Sequence, residues 1–193
     1  VIEYVYFSMP FFIAALIAIA ALVYDKWGKH HPVLGPLNMG LCRGLNLLLG
    51  MSIILETLDW YGLFAVVPVI YIAAITMISR GEVQGGRKTT MYVATLLYLL
   101  AIAGVAFYSW KYGNLTNAII FILLWAALIF PPLLKAIAKP QGKQVGMAVK
   151  AGVIALIVMN ASWAAGFNSI YFAIIIALLL PLSILLAKLF AVT

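Results

Sequence analysis

The chain has 193 residues, of which 66% are hydrophobic and only 9% are charged. Water-soluble domains carry about a quarter charged residues, so this composition excludes a soluble enzyme, a disordered chain and a secreted disulfide scaffold. The net charge of +7 is explained by membrane topology and by attraction to an anionic leaflet, and not by nucleic-acid binding.

Long apolar segments occupy most of the chain. A helix needs about 20 apolar residues to cross the hydrocarbon core, and segments of this length predict seven spans in a single domain that covers residues 1–193. The predicted spans are 4–24, 35–57, 62–79, 90–110, 115–135, 144–163 and 169–191. We therefore expect an all-α, polytopic transmembrane bundle, because strands of a membrane barrel would be about half as long and would alternate in polarity.

The connections between these spans alternate in charge. The second, fourth and sixth connections together contain one basic residue, Lys111. The basic residues of the other three are Lys26 and Lys29 in the first, Arg80, Arg87 and Lys88 in the third, and Lys135, Lys139 and Lys143 in the fifth. The positive-inside rule places the basic connections in the cytoplasm, with the start of the chain outside and Lys188 inside. This polarity suits a multi-pass protein of a bacterial inner (plasma) membrane, and an organelle membrane of the same polarity stays open.

The second predicted span contains side chains that hydrocarbon rejects. Helical spacing puts Met39, Arg43, Asn46 and Gly50 on one face. A buried Arg costs at least roughly 2.5–3.5 kcal/mol on insertion scales. We expect Arg43 either to bind an anionic ligand in a cavity or to snorkel to lipid headgroups. Gly40 and Gly44 form a ridge of small residues, which predicts close packing of a neighbouring helix.

The third connection holds one acidic residue, Glu82, among several basic ones. Mg²⁺ commonly bridges a carboxylate to a substrate diphosphate, so Glu82 is a candidate metal ligand. Arg80 and Arg87 are then candidates to contact the phosphates of the ligand. A surface loop with internal ion pairs is the alternative. Lys150, about two turns into the sixth span, adds a cation near the same mouth. A cationic mouth above an apolar bundle suits a ligand with an anionic head and a hydrocarbon tail.

Other chemistries have little support in this sequence. No His lies within a predicted span, which argues against a bis-His haem, and the single Cys42 cannot hold an iron–sulfur cluster. The adjacent His30 and His31 lie in a loop and are expected at the interface rather than in a metal site. The spans also lack the Asp and Glu residues of a proton or sodium relay, which argues against an ion-coupled pump.

Three segments carry a family resemblance. They are Tyr24-Asp25-Lys26-Trp27-Gly28-Lys29-His30-His31, the segment from Gly35-Pro36 to Asn46 and Gly50, and Ser79-Arg80-Gly81-Glu82-Val83-Gln84-Gly85-Gly86. In this order they resemble the UbiA superfamily of intramembrane prenyltransferases, and most closely its branch encoded in bacterial ebo gene clusters. The resemblance implies a helix bundle with two aspartate-rich motifs that bind Mg²⁺ and a prenyl diphosphate, whose prenyl chain passes to an aromatic or other lipophilic acceptor.

The resemblance also implies roles for individual residues. Tyr24 and Lys29 look like the family's Tyr and Lys that contact the diphosphate, and Arg80-Gly81-Glu82 occupies the region of the second aspartate-rich motif. Of that motif's acids only Glu82 remains, and the first motif has no counterpart in this sequence. The resemblance therefore implies that the chain looks like the later two-thirds of a longer protein, with two or three helices expected before Val1.

The leading expectation is a UbiA-like prenyltransferase that uses Mg²⁺, with Glu82 as the metal ligand. Its expected substrates are a prenyl diphosphate and a lipophilic acceptor, and membrane lipid surrounds the protein. The residues expected toward the diphosphate are Tyr24, Lys29, Arg43, Asn46, Arg80, Arg87 and Lys150. The alternative is a non-catalytic member that binds or moves a lipophilic precursor, or that serves as a subunit of a membrane complex. A transporter or channel of another fold also stays open.

Overall fold

A computed structural model of the chain describes residues 2–83, 85–167 and 169–189. The side chains of residues 2–8, His30, Leu55, Trp60, Ala187 and Lys188 lie outside this description. Within the described ranges every regular element is a helix and no strand occurs, which confirms the predicted all-α class.

Nine α-helices follow one another, and short 3₁₀ turns precede α2 and α4 at Gly28–His30 and Gly62–Ala65 among the described residues. The helices are α1 (Ile2–Lys26), α2 (Leu34–Met51), α3 (Leu55–Tyr61), α4 (Val66–Ser79), α5 (Lys88–Tyr112), α6 (Leu115–Ala138), α7 (Gly142–Phe167), α8 (Ile170–Ala177) and α9 (Leu179–Leu189).

Among the described residues, five helical segments are long and apolar enough to cross a membrane. They are Met9–Lys26, Gly62–Ser79, Lys88–Tyr112, Leu115–Ala138 and Gly142–Phe167. Each matches a predicted span, and together they indicate a multi-pass membrane protein.

Two predicted spans are interrupted in the structure. The span expected over 35–57 ends as a helix at Met51, because the buried Ser52 side chain donates to the Leu49 carbonyl at 2.7 Å and the extended Ile54 precedes α3. A hydroxyl that bonds the preceding turn competes with continued helical geometry.

The span expected over 169–191 is divided at Leu178 into α8 and α9, and its residues 190 and 191 lie outside the described part. The physical reason is Pro181. A proline ring clashes with the carbonyl four residues earlier, which belongs to Ala177, the last residue of α8.

The described residues fall into two compact units. One contains the chain up to Met77 together with Leu96–Ala101, and the other contains Ile78–Thr95 and the chain from Ile102 onward. In the first unit α1 packs along α2, and the buried rings of Tyr71 and Tyr98 lie 5.1 Å apart.

Close packing of α2 in the first unit depends on its glycines. A Cβ on Gly40 would clash with the carbonyl oxygen of Val69, and a Cβ on Gly44 would lie 2.9 Å from the carbonyl oxygen of Ala65. The predicted packing role of this glycine pair is therefore confirmed. It lets the α2 backbone lie against the start of α4.

In the second unit α6 and α7 form an antiparallel hairpin, and α7 also contacts α8 and α9. At one end of this unit the Gly86 amide donates to the carbonyl of Pro140, at 3.0 Å, so that the basic third and fifth connections meet. At the other end the Asn114 amide donates to the carbonyl of Gly166, at 2.7 Å. This is the arrangement that the charge alternation predicts for these four connections.

The packing of α2 predicts opposite effects for two matched glycine substitutions. Gly40→Ala places a methyl group against backbone that cannot rotate away, and such overpacking costs about 1–3 kcal/mol. Gly50→Ala, on the same helix, has no atom within 4 Å of its Cβ, and alanine favours a helix over glycine by up to about 1 kcal/mol.

Thermal unfolding in detergent measures both variants. We expect a lower unfolding midpoint for Gly40→Ala and an unchanged or higher midpoint for Gly50→Ala. Equal midpoints for the two variants would contradict the close approach of α2 to Val69.

Candidate functional site

A pocket of about 510 Å³ beside α2 contains Arg43 and Asn46. Helix α1 contributes two residues to its walls, α2 five and α4 one: Ala14, Ile17, Met39, Cys42, Arg43, Asn46, Leu49 and Ile72. The predicted polar face of α2 is thus present, since Met39, Arg43 and Asn46 line one cavity. The other wall residues are apolar except for the thiol of Cys42.

Arg43 is half-buried in this pocket, and Asn46 is exposed to it one turn later. Within the described part of the chain, Arg43 forms no ion pair with an acidic side chain. A guanidinium in mostly apolar surroundings gains free energy when an anion or water replaces its lost hydration. The pocket therefore offers a cation with five N–H donors and a neighbouring amide to an anionic group.

Tyr24 and Lys29 lie elsewhere in the first unit and do not line the Arg43 pocket. The Tyr24 ring lies 3.4 Å from the position that a Cβ on Gly28 would take, and Lys29 is exposed within the 3₁₀ turn. The structure thus brings Arg43 and Asn46 together but does not add Tyr24 and Lys29 to them. The role of these two residues toward a diphosphate stays a prediction.

Glu82 lies in a tight turn after α4 in the second unit. The turn closes through Glu82 N–H donating to the Ser79 carbonyl at 3.0 Å. A Cβ on Gly142 would clash with the Glu82 carbonyl oxygen, and a Cβ on Gly146 would lie 3.5 Å from Glu82 Oε1. The carboxylate therefore lies along the first turn of α7, where the helix dipole favours negative charge.

The turn that holds Glu82 depends on its glycines. Gly85 has a φ of +84°, which a side chain rarely adopts. A Cβ on Gly81 would lie 2.6 Å from the Cα of Gly86. The Gly81 and Gly85-Gly86 positions of the family-like segment thus have a steric explanation, and Gln84 between them lies outside the described residues.

The remaining predicted site residues of the second unit are exposed. Arg80 and Arg87 lie at the two ends of the turn that carries Glu82. Lys150 is eight residues into α7 from Gly142, which places it about 12 Å along the helix at 1.5 Å per residue. Across the described residues, no three His, Cys, Asp or Glu side chains gather as a complete metal cluster. Glu82 therefore remains a single predicted ligand.

His31 has a structural role that the sequence patterns did not indicate. Its Nδ1 accepts hydrogen bonds from the backbone amides of Leu34, at 3.0 Å, and Val33, at 3.2 Å. These amides belong to the start of α2 and have no partner within the helix itself. The only signal in the sequence is an imidazole placed shortly before a helix start, next to Pro32.

A second cavity, of about 670 Å³, lies between α1 and α2. One wall is formed by Leu16, Ile19, Ala20 and Val23 of α1 and by Trp27, which follows α1. The other wall is formed by Gly28, His31, Leu34, Leu37, Asn38, Leu41 and Leu45, from the 3₁₀ turn to α2. We call this cavity the α1–α2 groove. Aliphatic side chains form most of its length, and Trp27, His31 and Asn38 are near one end.

Comparisons with known proteins gave no match to a family model, to a curated protein or to a solved structure. The relationship to the UbiA superfamily is therefore a hypothesis that rests on the three sequence segments.

The contacts of His31 predict that His31→Ala destabilises the start of α2. Loss of a side-chain acceptor at a helix start costs about 0.5–2 kcal/mol, whereas the side-chain oxygen in His31→Asn can still accept a backbone amide. Unfolding by heat in detergent, followed by circular dichroism, should rank wild type and His31→Asn above His31→Ala. An alanine variant as stable as wild type would show that these two hydrogen bonds contribute nothing.

Proposed function

We propose that this protein is a UbiA-like intramembrane prenyltransferase, which transfers an isoprenoid chain from a prenyl diphosphate to a lipophilic acceptor. The observation that supports it most is the pocket in which half-buried Arg43 and Asn46 face an otherwise apolar wall. A diphosphate attached to a long hydrocarbon matches this combination of charge and apolar surface. The three family-like segments are the second support.

The proposed topology has seven crossings in a bacterial inner membrane. Five are the continuous spans, and the other two are the interrupted pairs α2 with α3 and α8 with α9. Non-helical backbone at membrane depth is tolerated where protein buries it, and Ser52 at the first interruption is fully buried. The basic connections face the cytoplasm in this topology.

The proposed reaction breaks the bond between the allylic carbon and the diphosphate oxygen and forms a bond from that carbon to the acceptor. The acceptor gives up a proton from the substituted position, and the released diphosphate takes this proton up. Negative charge grows on the departing diphosphate, and Arg43 would stabilise it through N–H donors held in a site of low polarity. Apolar walls would exclude water, which otherwise traps the allylic cation. Asn46 would add a neutral donor that orients the diphosphate.

Mg²⁺ is the proposed cofactor, and Glu82 is its proposed ligand. Mg²⁺ is often held by one or two carboxylates together with substrate phosphates, so one carboxylate fits an ion that arrives with the diphosphate. The ion, when bound, would neutralise charge on the leaving group. Arg80 and Arg87, at the ends of the same turn, would attract the anionic substrate.

The competing proposal is a non-catalytic protein that binds a prenyl lipid, alone or as a subunit of a membrane complex. One observation favours it. Glu82 already has a structural position beside the first turn of α7, and no second acidic, His or Cys ligand joins it in a cluster within the described ranges. Binding without Mg²⁺-dependent turnover would select this alternative.

Protection of Cys42 tests ligand binding without any assay of turnover. Cys42 is the single cysteine and lines the Arg43 pocket, so farnesyl diphosphate bound there should slow its alkylation by N-ethylmaleimide. Arg43→Ala should abolish the protection. In the control, Cys42→Ser with Gly50→Cys moves the thiol along α2 and out of the pocket, and its alkylation rate should not respond. Equal rates with and without farnesyl diphosphate in the wild type would contradict binding at Arg43.

Turnover separates the two proposals. With ³²P-labelled farnesyl diphosphate and a lipid extract of the source membrane as acceptor, we expect Mg²⁺-dependent diphosphate release that falls on the order of 100-fold in Arg43→Ala, as for removal of one donor to a developing oxyanion. Glu82→Gln should also lose Mg²⁺-dependent diphosphate release. Glu56→Gln, an exposed acid on α3, is the matched control and should keep the wild-type rate.

The folded state of each variant is checked by its unfolding midpoint. Glu82→Gln should lose only the helix-dipole contribution at α7, about 0.3–1 kcal/mol. Wild-type release rates in both Arg43→Ala and Glu82→Gln would reject the enzymatic proposal.

A further inference from the structure

The length of the α1–α2 groove is close to half the thickness of a membrane's hydrocarbon core. Its α1 wall runs from Leu16 to Trp27 and its α2 wall from Leu34 to Leu45, so each covers a separation of eleven residues. At 1.5 Å per residue this is about 16 Å. Half of a hydrocarbon core of roughly 30 Å is about 15 Å. The groove is therefore long enough to extend from one interface to about the middle of a bilayer.

The two ends of the groove differ in chemistry. The interfacial end carries the indole of Trp27, the imidazole of His31 and the amide of Asn38. The opposite end is closed by Leu16 and Leu45, and the walls between the ends are aliphatic. A ligand that fits both ends has a polar head and a single hydrocarbon chain in contact with the wall.

Positive charge exceeds negative charge at the interfacial end, where Lys26 and Lys29 outnumber the neighbouring Asp25. Lys26 and Lys29 flank Trp27 and Gly28, which line the groove, and both lysines are exposed. The Lys26 Nζ lies 4.6 Å from the centroid of the Trp27 ring, and this cation–π contact keeps the ammonium group beside the mouth. The charge pattern assigns this connection to the leaflet that is rich in anionic lipid.

We propose that the α1–α2 groove binds one anionic phospholipid of the inner leaflet, with an acyl chain between α1 and α2 and its phosphate at Lys26 and Lys29. The site is separate from the Arg43 pocket, because none of the residues that line one cavity lines the other. The proposal does not depend on prenyl transfer, and it holds for either function considered above. The bound lipid acts as a third wall that completes the packing of the α1–α2 pair.

Trp27 provides a direct reporter of the occupant. The protein is reconstituted in vesicles of phosphatidylcholine that contain increasing fractions of brominated phosphatidylglycerol or brominated phosphatidylcholine, because bromine quenches a nearby indole. The Trp27 signal is the difference between wild type and Trp27→Phe. Trp110 is the matched control, since it is also an exposed indole next to a lysine, Lys111, but lies outside the groove.

Half-maximal quenching of Trp27 should need on the order of tenfold less brominated phosphatidylglycerol than brominated phosphatidylcholine, because the two lysines attract an anionic headgroup. Lys26→Gln combined with Lys29→Gln should remove this preference for phosphatidylglycerol. In the wild type, 0.5 M NaCl should reduce the preference, because salt screens the charges. Trp110 should respond to both lipids at similar fractions.

A second variant tests the acyl-chain part of the site. Ala20→Phe places a ring into the groove from α1 and should weaken quenching of Trp27 by phosphatidylglycerol while both lysines remain. Its helical content and unfolding midpoint verify that it is folded.

The proposal is overturned by any of three results. These are equal quenching of Trp27 by the two lipids, a preference that survives the double lysine substitution, and quenching that falls with rising protein density because a second copy of the chain covers the groove.

Discussion

Contact between the backbones of α2 and the start of α4 determines much of the first unit. Gly40 and Gly44 lie against the carbonyl oxygens of Val69 and Ala65, where no side chain fits. This contact sets the rotation of α2 about its own axis. At 100° per residue, the Arg43 face and the face of Leu41 and Leu45 each lie roughly 100° from the glycine ridge, on opposite sides of it. One helix therefore provides a packing surface, a cationic pocket and an apolar groove.

The glycines also explain how a helix with Arg43 and Asn46 is held in an apolar protein. Isolated in lipid, such a helix would expose its polar groups to hydrocarbon. Packing against α4 and α1 places Arg43 in a pocket that Ile72 and Ile17 also line, and Arg43 is half-buried there. The same packing keeps the site open to a ligand, because small residues, and not the long Arg side chain, make the helix contact.

The sequence predicted the features of this fold that depend on composition and periodicity. Helical class, five of the spans, the glycine ridge and the shared face of Met39, Arg43 and Asn46 follow from apolar length and helical spacing alone. The interruptions at Ser52 and Leu178 did not follow, because hydrophobic residues continue through both. Pro181 was visible, but Pro131 inside α6 leaves its helix continuous, so the presence of a proline in a span does not by itself predict an interruption.

The candidate site was predictable to a smaller degree. Arg43 and Asn46 could be grouped because they share a helix, whereas Glu82 is positioned by glycines of a turn and by the start of a distant helix, α7. Likewise, the hydrogen bonds of His31 depend on the exact direction of its ring, which no pattern of residue types encodes. Carboxylate, imidazole and amide side chains can bind ligands, but they also have a structural role at helix starts. There they accept hydrogen bonds from backbone amides or interact favourably with the helix dipole.

This double role affects the functional argument directly. An acid beside a helix start is retained for stability even when no metal binds, so the presence of Glu82 alone does not favour catalysis over lipid binding. Arg43 is different, because a guanidinium inside an apolar wall stabilises neither α2 nor its contact with α4. Its burial cost is offset by an anion or water in the pocket, or by lipid headgroups that the side chain reaches, and an anionic head on a hydrocarbon chain satisfies both the charge and the wall. The functional case therefore depends more on the cation of α2 than on the carboxylate near α7.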